Sequence, residues 1–144
     1  MVELEYTSFL KTPSPISKKR FEKIAQLVAQ QQKIRQATAS VVLVGERRMR
    51  RLNCIYRNKD YVTNVLSFAS EDMPIPGEDL HDLGDIILCV PKIKKEARVK
   101  GVSVRDEMEY LFVHSFLHLL GYDHISDRDF KKMKTVEDSI MKKI

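Results

Sequence analysis

Cysteine is scarce in this chain. Only Cys54 and Cys89 occur, far apart and without C-x-x-C spacing, which leaves no disulfide framework; both are expected as reduced, buried thiols of a cytosolic protein. Long apolar runs are missing too. None approaches the roughly 18 residues that cross a bilayer, and the opening MVELEYTSFLKTPSP carries acids early where a secretory signal needs an apolar core. No internal repeat, low-complexity segment or linker interrupts the chain, so one domain is expected over residues 1–144. What is present is ordinary for a globular protein: 43% hydrophobic and 31% charged residues. Basic residues outnumber acidic ones 25 to 20, for a formal net charge of +5. That balance permits a polyanionic partner without establishing one.

Patterning predicts an α+β domain, with a mixed β-sheet of about four strands packed with about five helices. VELEYTSFL alternates, with Val2, Leu4 and Tyr6 on one side, as a half-buried strand does. After the proline turn KTPSPIS, Ser17 caps a helix expected to reach about Gln36, with Phe21, Ile24, Leu27, Val28 and Ile34 in one stripe. ASVVLV is a buried strand. ERRMRRLNCIYR is a helix with Met49, Leu52, Ile55 and Tyr56 facing in. VLSFA is a second buried strand, SEDMPIPGEDLHD a loop and LGDIILCV a third, strong strand. Pro91 suits the first turn of a helix that Gly101 ends. Ser103, with Asp106 three residues on, caps the next. That helix, through Met108, Leu111, Phe112, Val113, Phe116, Leu117 and Leu120, is apolar almost all round and reads as central and buried. Gly121 stops it. Ser126, followed by Asp129, caps a last helix whose Phe130, Met133, Val136 and Ile140 share a face.

Of four histidines, His114, His118 and His124 fall in HSFLHLLGYDH. His114 and His118 are four apart on a helix and project from one face. Gly121 allows a sharp reversal, because glycine tolerates a positive φ, and the reversal can return His124 toward the other two. Burying three imidazoles in so apolar a segment is costly unless their nitrogens are satisfied. A zinc ion satisfies them directly, and three protein ligands leave a fourth position open, as in catalytic rather than structural sites. A lone histidine on an apolar face would more simply be a satisfied core residue; the count and spacing here favour metal, one ion per chain.

The spacing H-x-x-x-H-x-x-G-x-x-H is shared with the metzincin peptidases, so a metzincin-like zinc-binding helix is expected. Those enzymes place Glu after the first His as general base. Ser115 stands there, and a serine hydroxyl does not act as a base near neutral pH. The ligand spacing is kept while the peptidase apparatus is missing.

HSFLHLLGYDH resembles the H-G-x-L-H-L-x-G-Y-D-H motif of the YbeY family of bacterial endoribonucleases, the rRNA maturation factor family. LNCIYRNKDYVTNVLSF, Leu52 to Phe68, resembles its L-N-x-x-Y-R-x-x-D-x-x-T-D-V-L-S-F block, and HDLGDIILC its L-G-D-I-x-I-C strand. The blocks keep the family's order between Leu52 and His124; the first fifty residues match only in general pattern. Ser115 replaces the usual Gly, and Asn64 the usual Asp, which removes a carboxylate. The resemblance implies a cytoplasmic, metal-dependent, single-strand-specific endoribonuclease acting in 16S rRNA 3′-end maturation and ribosome quality control. It assigns zinc to His114, His118 and His124 and catalytic roles to Arg57 and His114. RNA, proteins of the small ribosomal subunit and an Era-type GTPase are the partners it suggests, with no membrane or DNA.

Other residues carry two readings each. Arg57 is an electrostatic partner for a phosphodiester or a surface arginine at a helix end. Asp123 is an imidazole partner or a turn former. Asp85, inside an apolar strand, is expected buried with a structural partner; Thr63 and Ser67 suit a phosphate or merely a strand. His81 is expected in the loop, and Met133 in the core. The basic clusters Lys18-Lys19-Arg20, Arg47 to Arg51, Lys92 to Lys100 and Lys131 to Lys134 are solvated helix faces or parts of an RNA groove. No aromatic RNP-type motif for reading bases is present. Two rival functions stand beside the nuclease: a ribosome-assembly binding factor with non-catalytic zinc, and a zinc peptidase.

Overall fold

The structure, a computed structural model, describes residues 1–70, 81–123 and 126–144. Elements follow as β1 (Val2–Ser8), α1 (Lys18–Gln31), β2 (Ala37–Val44), α2 (Glu46–Arg57), β3 (Val65–Ala69), β4 (His81–Cys89), α3 (Val90–Lys100), α4 (Val104–Leu119) and α5 (Asp127–Lys143). The strands form one sheet in the order β1-β2-β4-β3. β1 pairs with β2, and β2 with β4, in parallel; β3 closes the far edge antiparallel to β4. Among the described residues, the expected mixed sheet of four strands with five helices is what forms.

Alternation along the central strands separates two apolar layers, because successive strand side chains point to opposite faces. Ala39, Val41 and Leu43 of β2, with Ile86 and Leu88 of β4, face the main core with α1, α3, α4 and α5. Val44, Ile87 and Cys89 face the other way and meet Met49 of α2 and Leu66 of β3 in a small second cluster. α4 is the spine of the main core: Met108, Phe112, Val113, Phe116 and Leu117 are fully buried. Caps follow local chemistry. Ser17, Ser103 and Ser126 each accept a hydrogen bond from the amide three residues on, which satisfies an otherwise orphaned helix N–H.

Several expectations are corrected. α1 ends at Gln31, not near Gln36. Lys33 turns to φ 58° and the Ile34 amide donates to the Ala29 carbonyl at 2.9 Å, a reversal that usually takes glycine and so left no mark in the sequence. β4 begins at His81, which pairs in register with Ala37, so the expected loop is cut short; its residues 71–80 lie outside the described ones. β3 is an edge strand in which only Leu66 is buried. In α2, Met49 and Asn53 are buried but Ile55 and Tyr56 are exposed. The last turn of α2 has only the edge strand beneath it, where Tyr56 meets the Phe68 ring edge-on at 5.3 Å. Cys54 is exposed; only Cys89 is buried. Phe130 is also exposed. Asp85 is exposed on the outer side of the sheet and accepts a hydrogen bond from the Ser40 hydroxyl.

The buried carboxylate of Glu109 ties α4 to α1. It receives Arg20 Nε and Nη2 at 3.0 and 3.2 Å and Arg105 Nε at 3.0 Å. Burial pushes its pKa up, but the two guanidinium groups outweigh burial and hold it below the usual carboxylate range. A depressed folded-state pKa contributes stability that is fully present above the unfolded value, about 4.3, and lost as pH falls from there through the lower folded-state value. Arg20→Met is expected to cost about 2 kcal/mol at neutral pH, the 20% exposure of Arg20 keeping it below a fully buried pair. It should also flatten the loss of stability on acidification, as read from urea midpoints between about pH 7 and pH 3.

Candidate functional site

Packing leaves α4 one partly accessible stripe over its second half: Tyr110, His114 and His118, at i, i+4 and i+8, are half-buried among buried neighbours. Helical periodicity puts these three rings in a column. Tyr110 and His114 stack with centroids 5.8 Å apart, and the His114 and His118 rings meet edge to face at 4.7 Å.

The hydrogen bonds decide which nitrogens face each other. His118 Nδ1 lies 2.8 Å from the Tyr122 carbonyl; a carbonyl only accepts, so that nitrogen carries the proton. His114 Nδ1 lies 2.7 Å from Glu137 Oε2 and donates to the carboxylate. In the neutral rings both Nε2 atoms are therefore bare, and they sit 3.1 Å apart. Two lone pairs at that separation repel unless a cation sits before them. A proton shared in an Nε2–H···Nε2 hydrogen bond relieves that repulsion, and so does a metal ion bound by both nitrogens. Two nitrogens bound tetrahedrally at 2.0–2.1 Å from one zinc are about 3.3 Å apart, close to the separation found. The two described imidazoles thus fit a divalent ion in position, tautomer and ligand type. Among the described residues, no group of three or more His, Cys, Asp or Glu side chains is arranged to hold a metal. The third expected ligand, His124, lies outside them.

The chain reverses just beyond His118. The Gly121 amide donates to the His118 carbonyl and the Tyr122 amide to the Leu117 carbonyl, with Gly121 at φ 99°. The Tyr122 hydroxyl then donates to Gln32 Oε1 at 2.8 Å, pinning the bend, and the Tyr122 carbonyl on which His118 depends, to the end of α1. Asp123 is exposed beyond the bend; the Nδ1 contacts of His114 and His118 go to Glu137 and to the Tyr122 carbonyl.

Glu137 is the residue that sequence reasoning missed. It is 2% exposed on α5, between Met133 and Ile140 on the helix's buried face. Burial pushes its carboxyl up, but the hydrogen bond from His114, with the Tyr110 phenol and the charges nearby, holds it below the usual range. Tyr110 in turn is pushed up to about 12 by burial and by Glu137, so its phenol keeps its proton. The available signal was an acid interrupting the apolar stripe Met133, Val136, Ile140. Met133 is core, as expected.

Arg57 ends α2. Its Nη2 donates to the Ser67 carbonyl at 2.9 Å, and its guanidinium lies over the Phe68 ring at 4.6 Å. It is exposed at the β3 edge and makes no ion pair among the described residues. No hydrogen bond joins it to either histidine there. Asn64 serves the backbone, its carbonyl accepting from the Cys89 amide; Thr63 and Ser67 are half-buried. Several basic clusters are partly committed to ion pairs, Arg20 with Glu109, Arg50 with Asp60, Lys95 with Glu46, Lys100 with Glu107 and Lys134 with Asp138. Arg47, Arg48 and Arg51 instead line one groove with Phe9, over which Arg48 stacks at 3.9 Å. Ser115 is 1% exposed, turned into the core and away from any role as a base. No described helix is long and apolar enough to cross a membrane.

Comparison with known proteins adds a family. The family model described as Endoribonuclease YbeY matches residues 6–144. A protein of Pseudomonas syringae pv. tomato named Endoribonuclease YbeY is 35% identical over 144 residues, covering 100% of this chain and 85% of its own length. One of the same name from Pseudomonas entomophila is 43% identical over 112 residues, covering 75% of this chain and 71% of its own. The solution structure of a Thermotoga maritima protein superposes with TM-score 0.64 at 23% identity, covering 97% of this chain and 90% of that one, a likeness of fold.

Proposed function

The chain belongs to the YbeY endoribonuclease family, and from that premise we propose that it is a zinc-dependent endoribonuclease acting on single-stranded ribosomal RNA. One zinc per chain is held by His114, His118 and His124. The observation that carries the reading is the pair of Nε2 atoms turned toward each other at 3.1 Å, with both Nδ1 protons engaged elsewhere. When bound, the ion supplies Lewis acidity toward a phosphoryl oxygen and toward the attacking oxygen.

The chain's own residues do the rest. His114 and His118 present unprotonated nitrogens in a fixed geometry, which avoids reorganisation on binding. Arg57, stacked on Phe68 and tied to β3, keeps a planar guanidinium at the sheet edge, suited to bidentate contact with non-bridging phosphate oxygens. With Ser115 buried, the residue after His114 supplies no general base, which disfavours peptide hydrolysis. The finer parts of the proposal are 16S rRNA 3′-end maturation and ribosome quality control in the cytoplasm. There the chain would work with proteins of the small subunit and an Era-type GTPase. They rest on the family's motifs in residues 52–124.

Purified protein should carry zinc and cleave single-stranded RNA, lose cleavage with a chelator and regain it on adding zinc. Cleavage by metal-free protein would overturn the reading. Arg57→Ala is expected to slow cleavage about 10²- to 10³-fold. Arg57→Lys should recover little, since a lysine offers no planar fork.

A further inference from the structure

We propose that Glu137 is a positioning residue for the metal site: its carboxylate holds the Nδ1 proton of His114 and so keeps that ring's Nε2 bare and aimed at the ion. The inference rests on the reading of His114 as a metal ligand and adds to it a residue from a different helix.

Three observations carry it. First, the contact is short and directed, 2.7 Å from His114 Nδ1 to Glu137 Oε2, as expected when a charged acceptor takes an imidazole N–H. Second, Glu137 is poorly explained by stability alone. Its side chain is 2% exposed, and Oε1 makes no hydrogen bond to a described residue. The nearest cation, Lys134 Nζ, stands 3.7 Å from Oε1 and is itself half-exposed. A buried carboxylate with an oxygen left over is an expensive way to fill space between helices. Third, the two histidines are held by unlike partners. His118 is oriented by a backbone carbonyl, which no substitution removes, whereas His114 depends on a side chain that α5 must deliver. Pairing with a carboxylate also raises imidazole basicity and so strengthens the metal bond.

Around the contact, Tyr110, Phe130, Met133 and Lys134 complete a small cavity of about 80 Å³ beside His114. The Tyr110 ring stacks on His114 and limits its rotation. Glu137 therefore sets the tautomer while Tyr110 restrains the ring plane.

The test uses the full chain as wild type, Glu137→Gln and Glu137→Met. Gln is isosteric and keeps a neutral acceptor; Met keeps the volume and offers none. Zinc affinity, by competition with a chromogenic chelator, is expected to fall about 10-fold in Glu137→Gln and about 100-fold in Glu137→Met. In metal-free protein, imidazole ¹⁵N correlation spectra should show His114 in the Nδ1–H tautomer for wild type and a mixture for Glu137→Met. A purely structural role would lower the unfolding midpoint and leave both readouts of the folded fraction unchanged. Wild-type affinity and an unshifted tautomer in Glu137→Gln alone would overturn the inference, should Glu137→Met not fold. Wild-type protein that binds no zinc while His114 keeps its tautomer would overturn the zinc reading and spare the hydrogen-bond assignment.

Discussion

His114→Ala is expected to lower RNA cleavage by at least about 10³-fold while leaving a folded protein. The ion's Lewis acidity is worth several kcal/mol in the transition state, and each 1.36 kcal/mol is a factor of ten in rate. Loss of one of three ligands in an open site should release the ion, so metal content falls with activity. The fold should persist, because an open three-ligand site contributes less to folding than a closed one and the hydrophobic face of α4 is untouched. A secondary effect separates the two histidines. Removing His114 strips Glu137 of its hydrogen bond in a buried setting, at about 1–3 kcal/mol. Removing His118 leaves a backbone acceptor, the Tyr122 carbonyl at the half-buried bend, rather than a buried carboxylate, and should cost less. Single-turnover cleavage, metal analysis and urea unfolding of both variants check this. Full activity in either variant would remove the zinc site from the mechanism, leaving the binding-factor reading.

Gly84→Ala should be the most damaging single methyl in the described sheet. Gly84 adopts φ +124° in the middle of β4, and a Cβ there would stand 2.0 Å from the Phe68 carbonyl oxygen and 3.0 Å from the Ser70 amide nitrogen. Both are backbone atoms of or beside β3, which pairs with β4 through Ala69 and Gly84; no rotamer relieves the clash. Backbone strain of about 1–3 kcal/mol adds to the loss of pairing at that end of β3, so more than about 3 kcal/mol is expected. That corresponds to a thermal midpoint lower by about 10 °C or to insoluble protein. Because Arg57 is held by Ser67 and stacked on Phe68, any surviving Gly84→Ala protein should also cleave RNA poorly. A near-wild-type midpoint would show that β3 does not approach β4 as described.

The glycine shows where sequence reading stops. The LGDI block marks residue 84 as belonging to a family pattern, but only the approach of Phe68 explains why no side chain fits. The same division runs through the molecule. Ser17, Ser103, Ser126, Pro91 and Gly121 could be assigned from sequence because capping and reversal depend on residues within one turn of each other. The i, i+4 histidines could be placed on one face for the same reason. Local periodicity could not say which amphipathic faces would be covered. Ile55 and Tyr56 continue the stripe of Met49 and Leu52, yet stand exposed because α2 overlies a sheet edge. Asp85 sits in an apolar run and still reaches solvent, because that side of β4 lies under no described helix at that point.

Sequence by itself determined the four strands and five helices among the described residues and the placing of His114 and His118 on one helix face, since each follows from chemistry between near neighbours in the chain. Tertiary structure alone decided what holds the ring nitrogens of those histidines. Glu137 is 23 residues from His114, and Gln32 is 90 from Tyr122. Such contacts arise from how helices pack across a shared core, and spacing along the chain carries no record of that.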